Sequence, residues 1–273
     1  MLATSIQEAF DQYPEPSQAE FYHHNSLQQW SITRKALDEV YFKANDKILE
    51  LGCGSGRAAA NIAGRLPGGR VLGVDISNGM IEYANQNLSS LYPNLMFEKR
   101  SFLNLSYEDE FDFVCSFSTL QYCTDHELLL SKVHKALCSD GRLFFTLPSL
   151  PVQEVKEVFD DLASDKKWSS YLGDPYSRIR RKYVAREYTE LLKKMGFRSV
   201  NVLSVRHDYK FENKRAFMDW FSSFTHLSYT LSQEDFKQFL SELTNHYVRK
   251  NPVNIKGEIT FPQNVLHVHA GKG

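Results

Sequence analysis

Two periods of apolar and polar residues run along the chain. Short apolar runs, "KILELG", "GRVLGVDIS", "LMFEKRSF", "FDFVCSFS" and "GRLFFTLP", predict strands between residues 47 and 148. Between them, "AAANIAGRL", "GMIEYANQNLSSL" and "DHELLLSKVHKAL" repeat apolar side chains at helical spacing. Strands this apolar, separated by amphipathic helices, predict a parallel α/β sheet covered on both faces. Asp125 stands where it can cap the helix that follows it, and "CSDG" closes that helix before the next strand.

The pattern changes on either side of this region. In "AEFYHHNSLQQWSITRKALDEVYF", Phe21, Leu27, Trp30, Leu37, Val40 and Tyr41 recur at roughly helical spacing, predicting a helical cap over residues 1–45 ahead of a core at 46–150. In residues 151–273, "VQEVKEVFDDLASDKKW" and "VAREYTELLKKMGF" predict helices, and "VNVLSVRHDYKFE" and "ITFPQNVLHVHAGK" predict strands. The two segments between those strands, "RAFMDWFSSFTHLSYTL" and "EDFKQFLSELTNHYV", predict helices that form a lid, all within one structural domain. Phe217, Trp220, Phe221 and Phe224 share a helical face of the kind that more often builds core than ligand wall, although one or two of them lining an apolar cavity is also expected.

Composition narrows the partners. The 273 residues suit one large α/β domain, and 32 Lys plus Arg against 33 Asp plus Glu leave no overall field to hold a polyanion, so nucleic acid is not expected. Cys53, Cys115, Cys123 and Cys138 form neither a CxxC pair nor a spacing shared with histidines, which predicts no disulfide framework, no zinc site and a reducing, cytoplasmic setting. The polar start, with two prolines, predicts no signal peptide, and no apolar run is long enough for a bilayer.

The sharpest feature is "ELGCGSGR", a strand running into Gly52, Gly54 and Gly56 and then into a helix. Such a turn lets a ligand approach bare peptide groups. A nucleoside triphosphate calls for Gly-Lys-Ser/Thr at the end of the loop, where this chain has Gly56, Arg57 and Ala58. A dinucleotide calls for glycine where Arg57 stands, so it fits less well. Glu50 followed by alternating glycines suits S-adenosylmethionine. Asp75, at the tip of the second strand, can accept from both vicinal ribose hydroxyls, which either nucleoside cofactor offers.

With "ILELGCGSG", "VLGVDIS", "NGMIEYAN" and "SFSTLQYCTDHELLLSKVHKALCSDGRLFFTLP", the chain resembles class I S-adenosylmethionine-dependent methyltransferases. In "STLQYCTDHELLL" and "FYHHNSLQQW" it is similar to carboxyl O-methyltransferases of the trans-aconitate and juvenile hormone acid groups. The resemblance implies a Rossmann-like seven-stranded sheet with its last strand antiparallel, helices on both faces and a helical lid. It implies that the turn from Glu50 through Gly52, Cys53 and Gly54 to Gly56 holds the donor, that Gly52 and Gly54 approach its methionine moiety, and that Asp75 holds the ribose. Ile76 and Met80 would lie against the adenine, and Ser116 and Phe117 would pass beside the sulfonium. Where the family often has an acid for the adenine amino group, this chain has Ser101 followed by Phe102, which removes a charged acceptor but keeps a hydroxyl.

The implied reaction is an in-line displacement that needs no metal and, for a carboxylate nucleophile, no base. After the fourth strand, "SFSTLQY" lacks the Asn/Asp-Pro-Pro-aromatic signature of enzymes that methylate base amines. The carboxylate-methylating relatives carry a tryptophan where Tyr122 stands and take a glutamine from the N-terminal helix, a place open to Gln28 or Gln29. His23 and His24 diverge by about 100° on a helix, so one at most faces a pocket, as a base for a neutral acceptor. "RIRRK", Arg178 to Lys182, either clamps an anion or coats a surface, and His267 and His269 share one face of the last strand in an expected solvated or rim position.

The chain thus reads as a methyltransferase of a small-molecule acceptor, a carboxylic acid first. Alternatives are carbon or nitrogen methylation of a small metabolite and methylation of a carrier-bound acyl group. Outside that class stand a nicotinamide-dependent oxidoreductase and a non-catalytic binder of the cofactor.

Overall fold

The computed structural model describes residues 16–172, 182–223 and 231–273. Its sheet contains β1 (Lys47–Leu51), β2 (Arg70–Asp75), β3 (Leu95–Lys99), β4 (Phe111–Phe117), β5 (Leu137–Pro148), β6 (Arg198–Phe211) and β7 (Ile259–Gly271). Their order is β3-β2-β1-β4-β5-β7-β6, and β7 runs antiparallel to both of its neighbours. The seven-stranded Rossmann-like sheet with an antiparallel last strand is therefore as expected.

Alternation along each inner strand sends successive side chains to opposite faces. Ile48, Phe113 and Phe144 enter one core with Ala36, Leu37, Ala59 and Ile62, whereas Leu49, Val114 and Phe145 enter the other with Leu129, Leu130 and Val133. The first core is covered by α2 (Leu27–Asp38) and α3 (Arg57–Ala63), and the second by α5 (His126–Ala136) and α8 (Ala185–Lys194). Asp125 caps α5 as expected, accepting from the Leu128 N–H at 2.9 Å.

A third core lies away from the middle of the sheet. It joins Val155, Val158 and Leu162 of α6 (Gln153–Ser164) and Trp168 to Phe217, Trp220 and Phe221 of α9 (Lys214–Ser222) and Phe239 and Leu243 of α10 (Gln233–Lys250). Burying each of these large side chains contributes about 1.5–3 kcal/mol, so the helices between β6 and β7 are bound as a packed layer. Phe217, Trp220 and Phe221 are core residues here, and Phe224 lies outside the described residues, as do Arg178 to Arg181.

His267 is not at a solvated rim. It is 2% exposed, with Nε2 3.1 Å from His207 Nε2 on β6 and Nδ1 3.2 Å from Glu39 Oε2 just beyond α2. Burial is possible because each ring nitrogen finds a partner. Among the described residues, no helix is long and apolar enough to cross a membrane.

The sheet positions the site through its order. From β1 the chain builds outward to β2 and β3 on one side and to β4 and β5 on the other, so the carboxyl end of β1 is the switch point at which open α/β sheets take their ligands.

Candidate active site

At the end of β1 the chain turns through Gly52, Gly54 and Gly56, whose φ values are +65°, +53° and +81°. The Gly52 and Cys53 amides donate to Val74 O at 2.7 and 3.0 Å, folding the turn onto the end of β2. A Cβ on Gly52 would lie 2.0 Å from Thr119 Cγ2, and one on Gly56 2.5 Å from Phe97 Cζ, so packing alone demands those glycines. Gly54 is different. The nearest heavy atom to its Cβ position is Tyr22 Cε1 at 3.8 Å, which leaves room for a ligand pressed against the backbone.

Asp75 ends β2 beside this turn. Its Oδ2 accepts from the Gly54 N–H at 2.8 Å and its Oδ1 from the Ser77 N–H at 2.9 Å. Burial raises its pKa, while the Ser77, Gly54 and Ile76 amides oppose that rise. With those amides on it, the carboxylate still keeps acceptor capacity for a further donor. Ser77 also caps α4 (Asn78–Leu88) through the Met80 N–H at 3.2 Å, which sets Ile76 and Met80 directly after the acid. Across the edge, the Arg100 N–H donates to Asp75 O at 2.8 Å and brings in Ser101, whose Oγ caps the short turn through Phe102 by accepting from the Leu103 N–H at 3.3 Å.

Glu50 is the unusual member. It is 2% exposed, bonds the Ala59 amide, and keeps Oε2 without a hydrogen-bond partner. Burial first, then the charge of Asp75, pushes its pKa up to about 8. The group set fits S-adenosylmethionine: Gly54 leaves space at the backbone, Asp75 offers a carboxylate as acceptor for vicinal hydroxyls, and Glu50 keeps one buried oxygen without a partner beside the turn.

The roof comes from α1 (Pro16–Asn25), which packs against α4. His23 Nδ1 lies 2.9 Å from Ser55 Oγ, and Arg57 Nη2 donates to His23 O at 2.7 Å. Burial, then the Arg57 and His24 charges, pushes His23 down to about 4, so near pH 7 it is a neutral tie. The Tyr22 phenol is pushed up to about 12 by burial, then by Tyr122 and Asp75, and Tyr209 of β6 interacts with it as well. Three phenols therefore gather from α1, the loop after β4, and β6.

That loop is locally strained. Ser118 has φ +51°, its N–H donates to Thr146 O at 2.8 Å, and Gln121 Nε2 closes back on Ser118 O at 2.7 Å. Thr119 Oγ1 donates to Gly52 O at 3.0 Å, tying the loop to the glycine turn and leading into Tyr122. Ser116 and Phe117 just before it have committed their side chains to the core. The Ser116 hydroxyl donates to Leu51 O at 2.7 Å, and the Phe117 ring centroid lies 6.0 Å from that of Phe144.

Three acceptor-side expectations need correction or division. His24 is on the outer face, its side chain 69% exposed and its Nε2 3.9 Å from Glu20, so His23 reaches the turn instead. Gln28 pairs its amide with the Lys210 backbone on both sides and so closes α2 against β6. Gln29 turns to the lid, where its Oε1 accepts from Trp220 Nε1 at 2.7 Å and its Nε2 keeps its donor capacity. Sequence reasoning did not find Tyr22, Arg57 or Thr119 as parts of the site. Arg57, directly after the third glycine, was the nearest available signal.

A family model described as a methyltransferase domain matches residues 42–196. The trans-aconitate 2-methyltransferase of Methylobacterium radiotolerans is 27% identical over 186 residues, covering 67% of this chain and 70% of that protein. A malonyl-acyl-carrier-protein O-methyltransferase 1 of Ilyobacter polytropus is 30% identical over 188 residues, 66% of this chain and 64% of that one. Among solved structures, phosphoethanolamine N-methyltransferase 2 of Haemonchus contortus, in complex with S-adenosyl-L-methionine, matches with a TM-score of 0.66 at 16% identity, covering 97% of this chain and 59% of its own. Against that structure, the chain spans somewhat over half of the length.

Proposed function

The chain belongs to the methyltransferase-domain family and is a class I S-adenosylmethionine-dependent methyltransferase, and from that premise we propose that it methylates a carboxylate oxygen of a small-molecule acceptor. When bound, S-adenosylmethionine supplies an electrophilic methyl carbon on a sulfonium, open to in-line displacement by a carboxylate without a base.

The protein's part is to hold, align and keep dry. The turn from Gly52 to Gly56 and Asp75 hold the donor, with Ile76 and Met80 at its adenine and Ser101 and Phe102 at the edge. Tyr122 and the Gln29 Nε2 donate to the acceptor's carboxylate, and α1 with Tyr22 excludes water. Much of the rate comes from alignment in a site without solvent.

The observation that carries this reading is the engagement of Gln29. With its oxygen bonded to Trp220, the amide is oriented so that it offers only donors, which suits an anion. His23, the histidine at the turn, is desolvated and tied to Ser55, so it is poorly placed as the base that a neutral acceptor would need. The names of the trans-aconitate and malonyl-acyl-carrier-protein relatives support acid or acyl acceptors, free or carrier-bound. We place the reaction in the cytoplasm, where the free thiols stay reduced.

The test is transfer from methyl-labelled donor to carboxylic, acyl-carrier, hydroxyl and amine acceptors. A methyl ester gives up its label as methanol in mild alkali. Label that survives alkali on a carbon or nitrogen acceptor overturns the carboxylate reading, and no transfer to any acceptor returns the chain to a binding role.

A further inference from the structure

Two histidines outside the active site meet where β6, β7 and the end of α2 come together. His207 and His267 bring their Nε2 atoms to 3.1 Å, with ring planes 17° apart and centroids 5.3 Å apart, so the rings face each other nitrogen to nitrogen. His267 turns its other nitrogen to Glu39 Oε2 at 3.2 Å, directly after the end of α2. Among the described residues no group of three histidines, cysteines or carboxylates able to hold a metal ion is present, so the link between the rings is a hydrogen bond.

That bond permits one arrangement of protons. A carboxylate only accepts, so His267 carries its proton on Nδ1 and presents a bare Nε2, to which His207 donates from its own Nε2. The His207 Nδ1 can then take one further proton without breaking the chain of bonds. A second would have to enter between two nitrogens 3.1 Å apart, making both of them donors and both rings cations. The charged and titratable groups around the pair are Lys35 of α2, Glu39, Asp208 of β6 with its partner Arg206 at 3.2 Å, and His269 of β7. Burial first, then His267 and Lys35, lowers the His207 pKa against the pull of Glu39 and Asp208, and burial and His267 lower that of His269. Phe144 of β5 adds an apolar edge, its centroid 5.8 Å from that of His267.

We propose that the pair is an acid-opened clasp: it holds the end of α2 against β6 and β7 while it carries no more than one extra proton, and lets go when both imidazoles are fully protonated. Through Ser26, α2 continues from α1, since the Ser26 N–H donates to Tyr22 O and the Trp30 N–H to Ser26 O, both at 2.9 Å. The cap over the donor site is therefore fastened near neutrality and loosens in acid. A histidine kept neutral by its surroundings stabilises the fold above its ordinary value of 6.5 and loses that effect as pH falls. The clasp is independent of which acceptor the enzyme methylates.

The experiment is nuclear magnetic resonance of the full chain, its histidines labelled with nitrogen-15, joined to hydrogen exchange from mildly alkaline into acid pH. In alkali His267 should carry its hydrogen on Nδ1 and His207 on Nε2, and a bare Nδ1 on His267 overturns the proposal. On acidification, uptake of one proton should leave the last turn of α2 protected, where the Glu39 and Val40 N–H groups donate to Ala36 O and Leu37 O at 3.1 and 3.3 Å. The second proton should come with opening, so that protection factors there fall by up to about tenfold per pH unit. In His207→Gln, an amide that donates or, turned over, accepts replaces a ring that titrates, and protection should persist further into acid. Equal loss in the variant and in the unmodified protein overturns the proposal. Should the variant fold poorly, the titration of the unmodified protein decides: two protons taken up independently, with no change of protection at Glu39 and Val40, refute the clasp.

Discussion

The Gly54 amide donates to the Asp75 carboxylate across 2.8 Å, joining the turn after β1 to the end of β2. With Ser77 on the other oxygen at 2.9 Å, the carboxylate is held at a fixed angle before any ligand arrives. Replacing Asp75 with Ala removes both ties and the acceptors for the ribose. The expected cost in affinity for S-adenosylhomocysteine is about 1–3 kcal/mol, and an unchanged dissociation constant by calorimetry would refute the ribose role.

Gly52→Ala and Gly54→Ala should separate folding from binding. At Gly52 the new methyl meets Thr119 at 2.0 Å, so thermal unfolding should show a large loss of stability. At Gly54 it meets nothing nearer than 3.8 Å, so the folding cost should be only the left-handed backbone penalty of about 1–2 kcal/mol, while donor affinity falls steeply. Equal stability losses without a difference in binding would contradict the ligand role of Gly54.

Glu50 gives the ligand-free protein a pH signature. Its pKa is about 8 when folded, against 4.5 as the ordinary value, so between those limits the folded state binds more protons. Stability from this group is therefore greatest below pH 4.5 and declines as pH rises toward 8. Urea melts across that window should fall more steeply with pH for the unmodified protein than for Glu50→Gln. Parallel curves would show that Glu50 does not titrate there.

His23 has the opposite sign. Lowered to about 4 from 6.5, it contributes stability above 6.5 that is lost as pH falls toward 4. Because it ties α1 to Ser55, hydrogen exchange in residues 16–25 should accelerate on acidification in the unmodified protein. In His23→Leu the same amides should exchange faster already at neutrality and change less with pH, and an unaltered pH response there would exclude His23 as the tie.

Tyr122→Phe removes one donor to the acceptor and leaves the donor site intact. With a carboxylate substrate, kcat/KM should fall by a factor equivalent to about 1.5–3 kcal/mol, the worth of a hydrogen bond to a charged group, while S-adenosylhomocysteine affinity is preserved. Wild-type kcat/KM in the variant would remove Tyr122 from the acceptor site.

The parts of this site that local sequence carries were legible, and the parts built by distant contacts were not. Gly52, Gly54 and Gly56 announce positive φ, and Asp75 announces itself at the tip of an apolar strand, because a turn or strand end restricts residue choice within a few positions. Gln28 and Gln29 are adjacent and chemically identical, yet one pairs with the Lys210 backbone and the other with Trp220, partners more than 180 residues away. His267 looked like a rim residue because its partners, His207 and Glu39, come from a neighbouring strand and from beyond α2. The resemblance alone implied a place for Ser116 beside the sulfonium, and no local pattern told that its hydroxyl donates to Leu51 O.

The most direct measurement is a crystal structure of the full chain with S-adenosylhomocysteine. The account predicts both ribose hydroxyls on the Asp75 carboxylate, the amino-acid end against the peptide groups of Gly52 to Gly54, and the sulfur facing Tyr122 beneath α1. A ligand bound elsewhere, or a ribose with no contact to Asp75, would contradict it.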